Sequence, residues 1–237
     1  MRLNRLALRL GTVLPALAVA QPALAQAAAV GPDVTRTALI LTLLAVVPAI
    51  LVSMTSFIRI VIVLSMVRHA FGMPETPPNA VLVSLSLFLT AFTMSPVLNE
   101  LNRDTIKPLL AGTMSVERAM ETGSGPLRKF MLTQTRDADI ESIYAISNTP
   151  LPDRPEQVEI LKLAPAFILN ELRVAFTIGF VILLPFLLID LVVSSILLAL
   201  GMMMVPPTTI SLPIKLLMFV LIDGWKLVLE GVLGSFG

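Results

Sequence analysis

Five charged side chains, Arg59, Glu171, Arg173, Asp190 and Lys215, lie in or beside long apolar runs. In a bilayer each costs a few kcal/mol unless it pairs or meets water, and such groups also carry protons in pumps. A second unusual group is the run Met202-Met203-Met204, between Gly201 and the pair Pro206-Pro207. Methionine is unbranched and polarizable, so it repacks at low cost. The run reads either as an apolar connector or as a deformable plug in a pore. The remaining chemistry is thin. One histidine, His69, and no cysteine exclude a thiol nucleophile, a thiolate-ligated metal and any disulfide. Asp137-x-Asp139 with Glu141 hints at a calcium loop, but the glycine and terminal glutamate of an EF-hand are missing, so a solvated acidic face is the better reading. No nucleophile, base and orienting group stand together, which argues against a soluble enzyme; no catalytic residue, metal site or cofactor is expected.

The elements that must position these residues are membrane-class. The chain of 237 residues is 56% apolar and 14% charged, against about a quarter charged in globular proteins. Mean hydropathy is +0.88. A net charge of +1 leaves no nucleic-acid footprint. Residues 1–25 have the form of a cleavable signal peptide: basic Arg2, Arg5 and Arg9, a short apolar run Leu10–Ala20, and small residues Ala23 and Ala25 at the cleavage site. Cleavage there leaves the new N-terminus outside the cytoplasm.

Residues 26–98 read as a helical hairpin. Its first arm, Ala38–Met66, is longer than the roughly 20 residues that cross a bilayer, so it must tilt, kink at Pro48 or extend beyond lipid. Arg59 in that arm either pairs in a wet interior or snorkels to the interface. Gly72, Pro74, Pro77 and Pro78 make a tight connection to a second helix, Asn79–Leu98, with Pro96 in its last turn. Composition changes at Asn99. Residues 99–162 are rich in both signs of charge and read as a small, water-exposed helical insert on the outer side, with Ser115 and Asp153 as caps. Residues 163–237 read as a second hairpin, of arms Phe167–Leu200 and Ile210–Phe236. Pro185, Gly201, Pro206 and Pro207 are its expected helix breaks. Asp223, Lys226 and Glu230 can neutralise one another at helical spacing. Arg59, Asp190 and Lys215 have no such neighbours. The expected fold is therefore all-α: two long helical hairpins, four hydrophobic helices, and a small extracytoplasmic insert. Overlong helices with interior charges point to a multi-subunit assembly around an aqueous path.

Pro165-Ala166-Phe167-Ile168-Leu169-Asn170-Glu171-Leu172 with Ala175-Phe176, and Pro185-Phe186-Leu187-Leu188-Ile189-Asp190-Leu191-Val192-Val193-Ser194-Ser195, resemble two signatures of the FliP family of flagellar export-gate proteins. Gly201–Pro207 with Ser211-Leu212-Pro213-Ile214-Lys215, Thr55-Ser56-Phe57-Ile58-Arg59, and Met73-Pro74 with Pro77-Pro78-Asn79 are similar to further parts of it. Asn170 stands where that family commonly has a small hydroxyl residue, and Thr177 where it has a long polar one. The resemblance runs from about residue 38 to 235 and implies a homopentamer assembled with FliQ and FliR. It implies other export-apparatus partners such as FlhB and FlhA, and unfolded flagellar proteins as the passengers. It places the chain in the bacterial inner membrane, in the flagellar basal body, with 99–162 on the periplasmic side. Met202, Met203 and Met204 become a gasket around the central passage, and Arg59, Glu171, Arg173, Asp190 and Lys215 structural charges between subunits. Two other functions stand beside this: the gate of a virulence injectisome, and an ion-coupled secondary transporter using Asp190, Glu171 and Lys215 as titrating sites.

Overall fold

The computed structural model describes Leu41, Ala45, and residues 47–73 and 75–237. The leader residues Arg2, Arg5, Arg9, Ala23 and Ala25 lie outside them. The chain divides into two compact units, Met1–Pro48 and Ala49–Gly237. In the first, Leu41, Ala45, Val47 and Pro48 are described, all helical and exposed.

The second unit is all helix and connection. Helix α1 (Val47–Met54) is followed by α2 (Phe57–Ala70). The two are bent by 69° at Thr55-Ser56. Hydroxyls make the bend possible. Ser53 Oγ donates to the Ala49 carbonyl at 2.6 Å, Thr55 Oγ1 donates to the Leu51 carbonyl, and Phe57 N–H donates to Thr55 Oγ1 at 3.3 Å. Side chains thus replace backbone partners where the ladder is interrupted. On α2 the buried residues Ile60, Val63, Leu64 and Val67 recur at helical spacing, with Arg59 beside them.

Helix α3 (Asn79–Thr93) buries Leu82, Ser86 and Thr90, four residues apart. Small hydroxyl residues on that stripe let helices approach closely. Ser86 and Thr90 satisfy themselves by donating back to Leu82 and Ser86 carbonyls, each at 2.7 Å. The Asn79–Leu98 helix expected from sequence is broken by a second bend, 66°, at buried Met94. Helix α4 (Ser95–Leu101) starts there, because Pro96 suits a first helical turn and not a last one. A π-helical turn at Asn102–Ile106 leads into α5 (Lys107–Leu110). A helical run thus crosses Asn99, where composition changes.

Helix α6 (Val116–Gln134) begins as expected at Ser115, whose Oγ accepts the Arg118 N–H at 3.3 Å. Helix α7 (Asp137–Ile146) follows, then a short 3-10 turn at Pro155–Gln157. Asp153, expected as a cap, caps neither element: the turn has Arg154 as its N-cap and the next helix has Glu159. Met131, Ile140 and Tyr144 from α6 and α7 pack on Leu163, Ala166 and Phe167. The insert is therefore built onto the first turns of the helix that follows it.

That helix, α8 (Ile160–Ala199), has 40 residues and is the one described helix long and apolar enough to cross a membrane; each bent pair supplies a further candidate. It runs on through Pro185, which the sequence reading treats as a break. A proline removes one backbone hydrogen bond and crowds one carbonyl. A helix packed on its neighbours survives that loss, as helices in membranes regularly do. Helix α9 (Pro207–Leu221) likewise contains Pro213. The last expected arm is divided instead at Asp223, in the left-handed region at φ 52°, before α10 (Gly224–Leu233) and a terminal turn, Gly234–Phe236. A Cβ on Gly224 would lie 2.1 Å from the Phe219 ring, so only glycine permits this turn. A second core joins α2, α3, α8, α9 and α10 through Val63, Leu64, Leu82, Ala175, Phe219 and Val228. Phe71, Phe186, Phe219 and Trp225 meet there edge to face or tilted, at centroid separations of 4.9–6.2 Å.

Candidate functional site

The methionines stand at the turn between α8 and α9. Leu200 closes α8, and Gly201 takes φ 73°, a left-handed conformation that costs glycine nothing. Gly201 N–H donates to the Leu198 carbonyl at 3.0 Å and Met202 N–H to the Leu197 carbonyl at 2.9 Å. This pair of bonds is the Schellman stop, which satisfies the last carbonyls of a helix. Pro206 is the N-cap of α9 and Pro207 its first residue, a position where the missing N–H is no loss. Both ends of the turn are thus fixed by backbone chemistry. Between them Met202, Met203 and Met204 are 44%, 79% and 94% exposed. No side chain of the described fold covers the last of them. The arrangement presents flexible apolar groups from a rigid mount.

Below the tip the two arms bury few residues. Val193 and Leu197 from α8 and Ser211 from α9 are buried. Then comes a charge pair: Lys215 Nζ lies 2.6 Å from Asp190 Oδ2 and also donates to the Ala70 carbonyl at 3.1 Å. Ala70 is the last residue of α2, so the amine meets the negative end of that helix. Lys215 is almost fully buried; Asp190 keeps about a third of its side chain exposed.

Two further pairs fasten α8 nearer its start. The Arg59 guanidinium and the Glu171 carboxylate form a two-pronged contact, one prong being Nε to Oε2 at 2.8 Å, and both side chains are buried. Arg59 also donates to the Ser235 carbonyl and hydroxyl, at 2.7 and 2.8 Å, and to Gln134 Oε1 at 3.1 Å. Its carbon lies 3.9 Å from the centre of the Phe236 ring. One arginine therefore ties α2, α6, α8 and the terminal turn together. Pairing, not snorkelling, is its state. Arg173 reaches Asp139 of α7 with two bonds, at 2.6 and 2.8 Å, and Arg136 adds a longer contact at 3.5 Å. Asp139 is consequently buried, and belongs to an ion pair instead of a solvated acidic face; Asp137 and Glu141 remain exposed. Among the described residues no cluster of His, Asp and Glu could hold a metal ion.

Each of the five charges meets an opposite charge within the chain. The Glu171 and Asp139 carboxylates each receive two bonds from one guanidinium, whereas Asp190 Oδ1 is buried without a hydrogen-bond partner. Lys226 and Glu230 approach to 3.9 Å on the surface. Asp223 is taken up in the turn, where its carbonyl accepts the Lys226 N–H at 3.0 Å. Asn170 is buried and donates to the Gln134 carbonyl, whereas Thr177 is exposed and only bonds back to the Arg173 carbonyl at 2.9 Å. The sequence reading missed Gln134, Asp139, Ser235 and Phe236 as partners. No periodic signal marks them, because each comes from a distant helix or turn.

An apolar spine, three buried or half-buried ion pairs and an exposed methionine tip define a class: an all-α membrane protein. A profile of the FliP family matches residues 40–232. The chain is 52% identical over 201 residues to the flagellar biosynthetic protein FliP of Pectobacterium carotovorum subsp. carotovorum, covering 85% of this chain and 78% of that one. It is 43% identical over 228 residues to the protein of that name from Caulobacter vibrioides, covering 94% and 86%. Against the Bacillus subtilis protein of that name it is 44% identical over 198 residues, covering 84% and 90%. The chain belongs to the FliP family, a family of flagellar biosynthetic proteins and not of enzymes.

Proposed function

We propose that this chain is the pore-forming subunit of the flagellar protein export gate. Five copies surround a passage through which unfolded flagellar proteins cross the bacterial inner membrane. FliQ and FliR complete the gate, and the charged insert lies on the periplasmic side. Methionines 202–204 of each copy converge as the seal. The observation that carries this reading is the tip itself: three exposed methionines on a turn fixed at both ends. Apolar side chains left bare on a rigid mount need a cover, and further copies of the same tip supply one. Methionines repack cheaply, so they close on one another at rest and part around an extended chain. A ring of them also blocks ions by dewetting.

The ion-coupled transporter is the weaker reading. Its titrating groups, Asp190, Glu171 and Lys215, are each engaged with an opposite charge, and a proton carrier must release its partner at every cycle.

The sequence holds no cysteine, so Met204→Cys introduces a unique thiol. In assembled gates, mild oxidation or a short thiol crosslinker is expected to join two copies through position 204. Assembled gates that yield no crosslinked pair would contradict a ring of tips.

A further inference from the structure

An open cleft of about 440 Å³ lies beside the start of α7, bordered by α6, α8 and the terminal turn. The charged side chains that line it are Arg59, Arg136 and Arg173. They are not equally matched. Arg59 has buried Glu171 to itself. Arg136 and Arg173 share one carboxylate, that of Asp139. Arg173 takes both of its oxygens, at 2.6 and 2.8 Å, and Arg136 reaches it through Nε alone, at 3.5 Å. One positive charge is therefore in surplus, and its carrier, Arg136, has a side chain 59% exposed. Thr133 stands exposed on the same rim. Gly237 borders the cleft too, but among the described residues it forms no ion pair with either arginine.

The other side of α7 has the opposite character. Asp137 and Glu141 stand two residues before and two residues after Asp139. A helix turns about 100° per residue, so both lie on the side of α7 away from Asp139 and its arginines. Both are exposed, and among the described residues neither forms an ion pair. Exposed Ala145 continues the same side one turn further on. Positions 136 to 141 span only about 8 Å of helix axis. One short helix thus carries a surplus positive charge on one side and two unmatched negative charges on the other, at nearly the same level.

Copies arranged head to tail in a ring set one flank of each against the opposite flank of the next. A charged patch used in that way needs its complement elsewhere on the same chain. We infer that adjacent copies meet here, with Asp137 and Glu141 of one copy facing the Arg136–Arg173 cleft of the next. This rests on the reading of the chain as a ring of five copies and adds a contact that sets the register of the ring. Exposed ion pairs add little affinity. Charge complementarity supplies discrimination instead, by suppressing wrong pairings. Two copies joined by a two-fold axis through either flank would set like charges together, so the pattern favours a closed ring over a dimer.

The chain has no cysteine, so crosslinks can be placed beside these charges without altering them. Thr133→Cys marks the cleft and Ala145→Cys the acidic side. In membranes holding the assembled gate, a short bismaleimide is expected to turn the double variant Thr133→Cys/Ala145→Cys into a ladder of dimers and higher oligomers. The two single variants expressed together are expected to give dimers only, and each alone none. No ladder from the double variant, or self-crosslinking of either single one, would overturn the contact. The charges are tested separately. Asp137→Lys/Glu141→Lys is expected to leave several-fold fewer intact rings on native gels, and Arg136→Glu added to the same chain to restore them. Rings of unaltered abundance in the first variant, or no recovery in the second, would equally overturn it. The ring itself is judged by the Met204→Cys pair. Crosslinks there without a ladder here keep the ring and remove this contact; crosslinks at neither place remove both.

Discussion

At the residue scale, the energetics turn on charges placed where water is scarce. Arg59 is the most deeply committed, with bonds to Glu171, Gln134 and Ser235 and the ring of Phe236 beneath it. Removing one partner of a buried pair leaves the other uncompensated and costs about 3–5 kcal/mol, whereas replacing both by apolar groups is often neutral. Arg59→Met is therefore expected to deplete the folded chain from membranes, and Arg59→Met/Glu171→Leu to restore much of it. Immunoblots of membrane fractions check this; an Arg59→Met chain as abundant as the unaltered one would contradict the role given to the pair. The need for partners was legible in the sequence, because charges in apolar runs must be neutralised. The partners themselves were not. Glu171 is 112 residues from Arg59, Asp139 is 34 from Arg173 and Lys215 is 25 from Asp190. Helical spacing rules reach three or four residues, so they cannot see pairs made by tertiary packing.

At the element scale, α8 is the spine. Two glycines mark close approaches, Gly179 of α8 against α2 and Gly224 of α10 against the end of α9, and they differ in what they face. A Cβ at Gly224 would meet the Phe219 ring at 2.1 Å, and a Cβ at Gly179 would meet the Met66 sulfur at 2.2 Å. The ring is locked among other aromatics, but the thioether can swing aside. Overpacking a tight core costs about 1–3 kcal/mol, so Gly224→Ala is expected to lower the thermal midpoint of the purified gate clearly and Gly179→Ala much less. Equal shifts would show that the Phe219 site is as pliable as the Met66 site. Where helices stop was partly legible. Gly201 and Pro206-Pro207 bracket a turn because a left-handed glycine stops one helix and a proline starts the next. Pro185 misled in the other direction, since packing carries α8 through it. The bend at Thr55-Ser56 has no glycine or proline at the point of change and goes with hydroxyl-to-carbonyl bonds. The bend at Met94 goes with Pro96 two residues on, and the turn at Asp223 with a left-handed aspartate followed by Gly224.

At the scale of the whole molecule, the chain leaves an uncommon amount of apolar surface bare. Phe88 and Phe92 on α3, Phe176 and Phe180 on α8, and Val220 and Leu221 on α9 are all more than half exposed. Exposed patches of that kind mark lipid or protein contacts. The all-α membrane class was legible at once from composition and the long apolar stretches. How the residues of 99–162 join the rest was not, because their core is completed by Leu163 and Phe167 of α8, which the sequence reading assigns to the second hairpin. The bare methionine tip is the feature that this single chain explains least by its own packing and the proposed gate explains best. The most direct test replaces Met202, Met203 and Met204 together by alanine and follows ion or small-solute leakage in living cells alongside export of filament protein. The proposed seal predicts leakage with export retained. An assembled gate that stays tight after the replacement would contradict it and return the three methionines to the role of a packing turn.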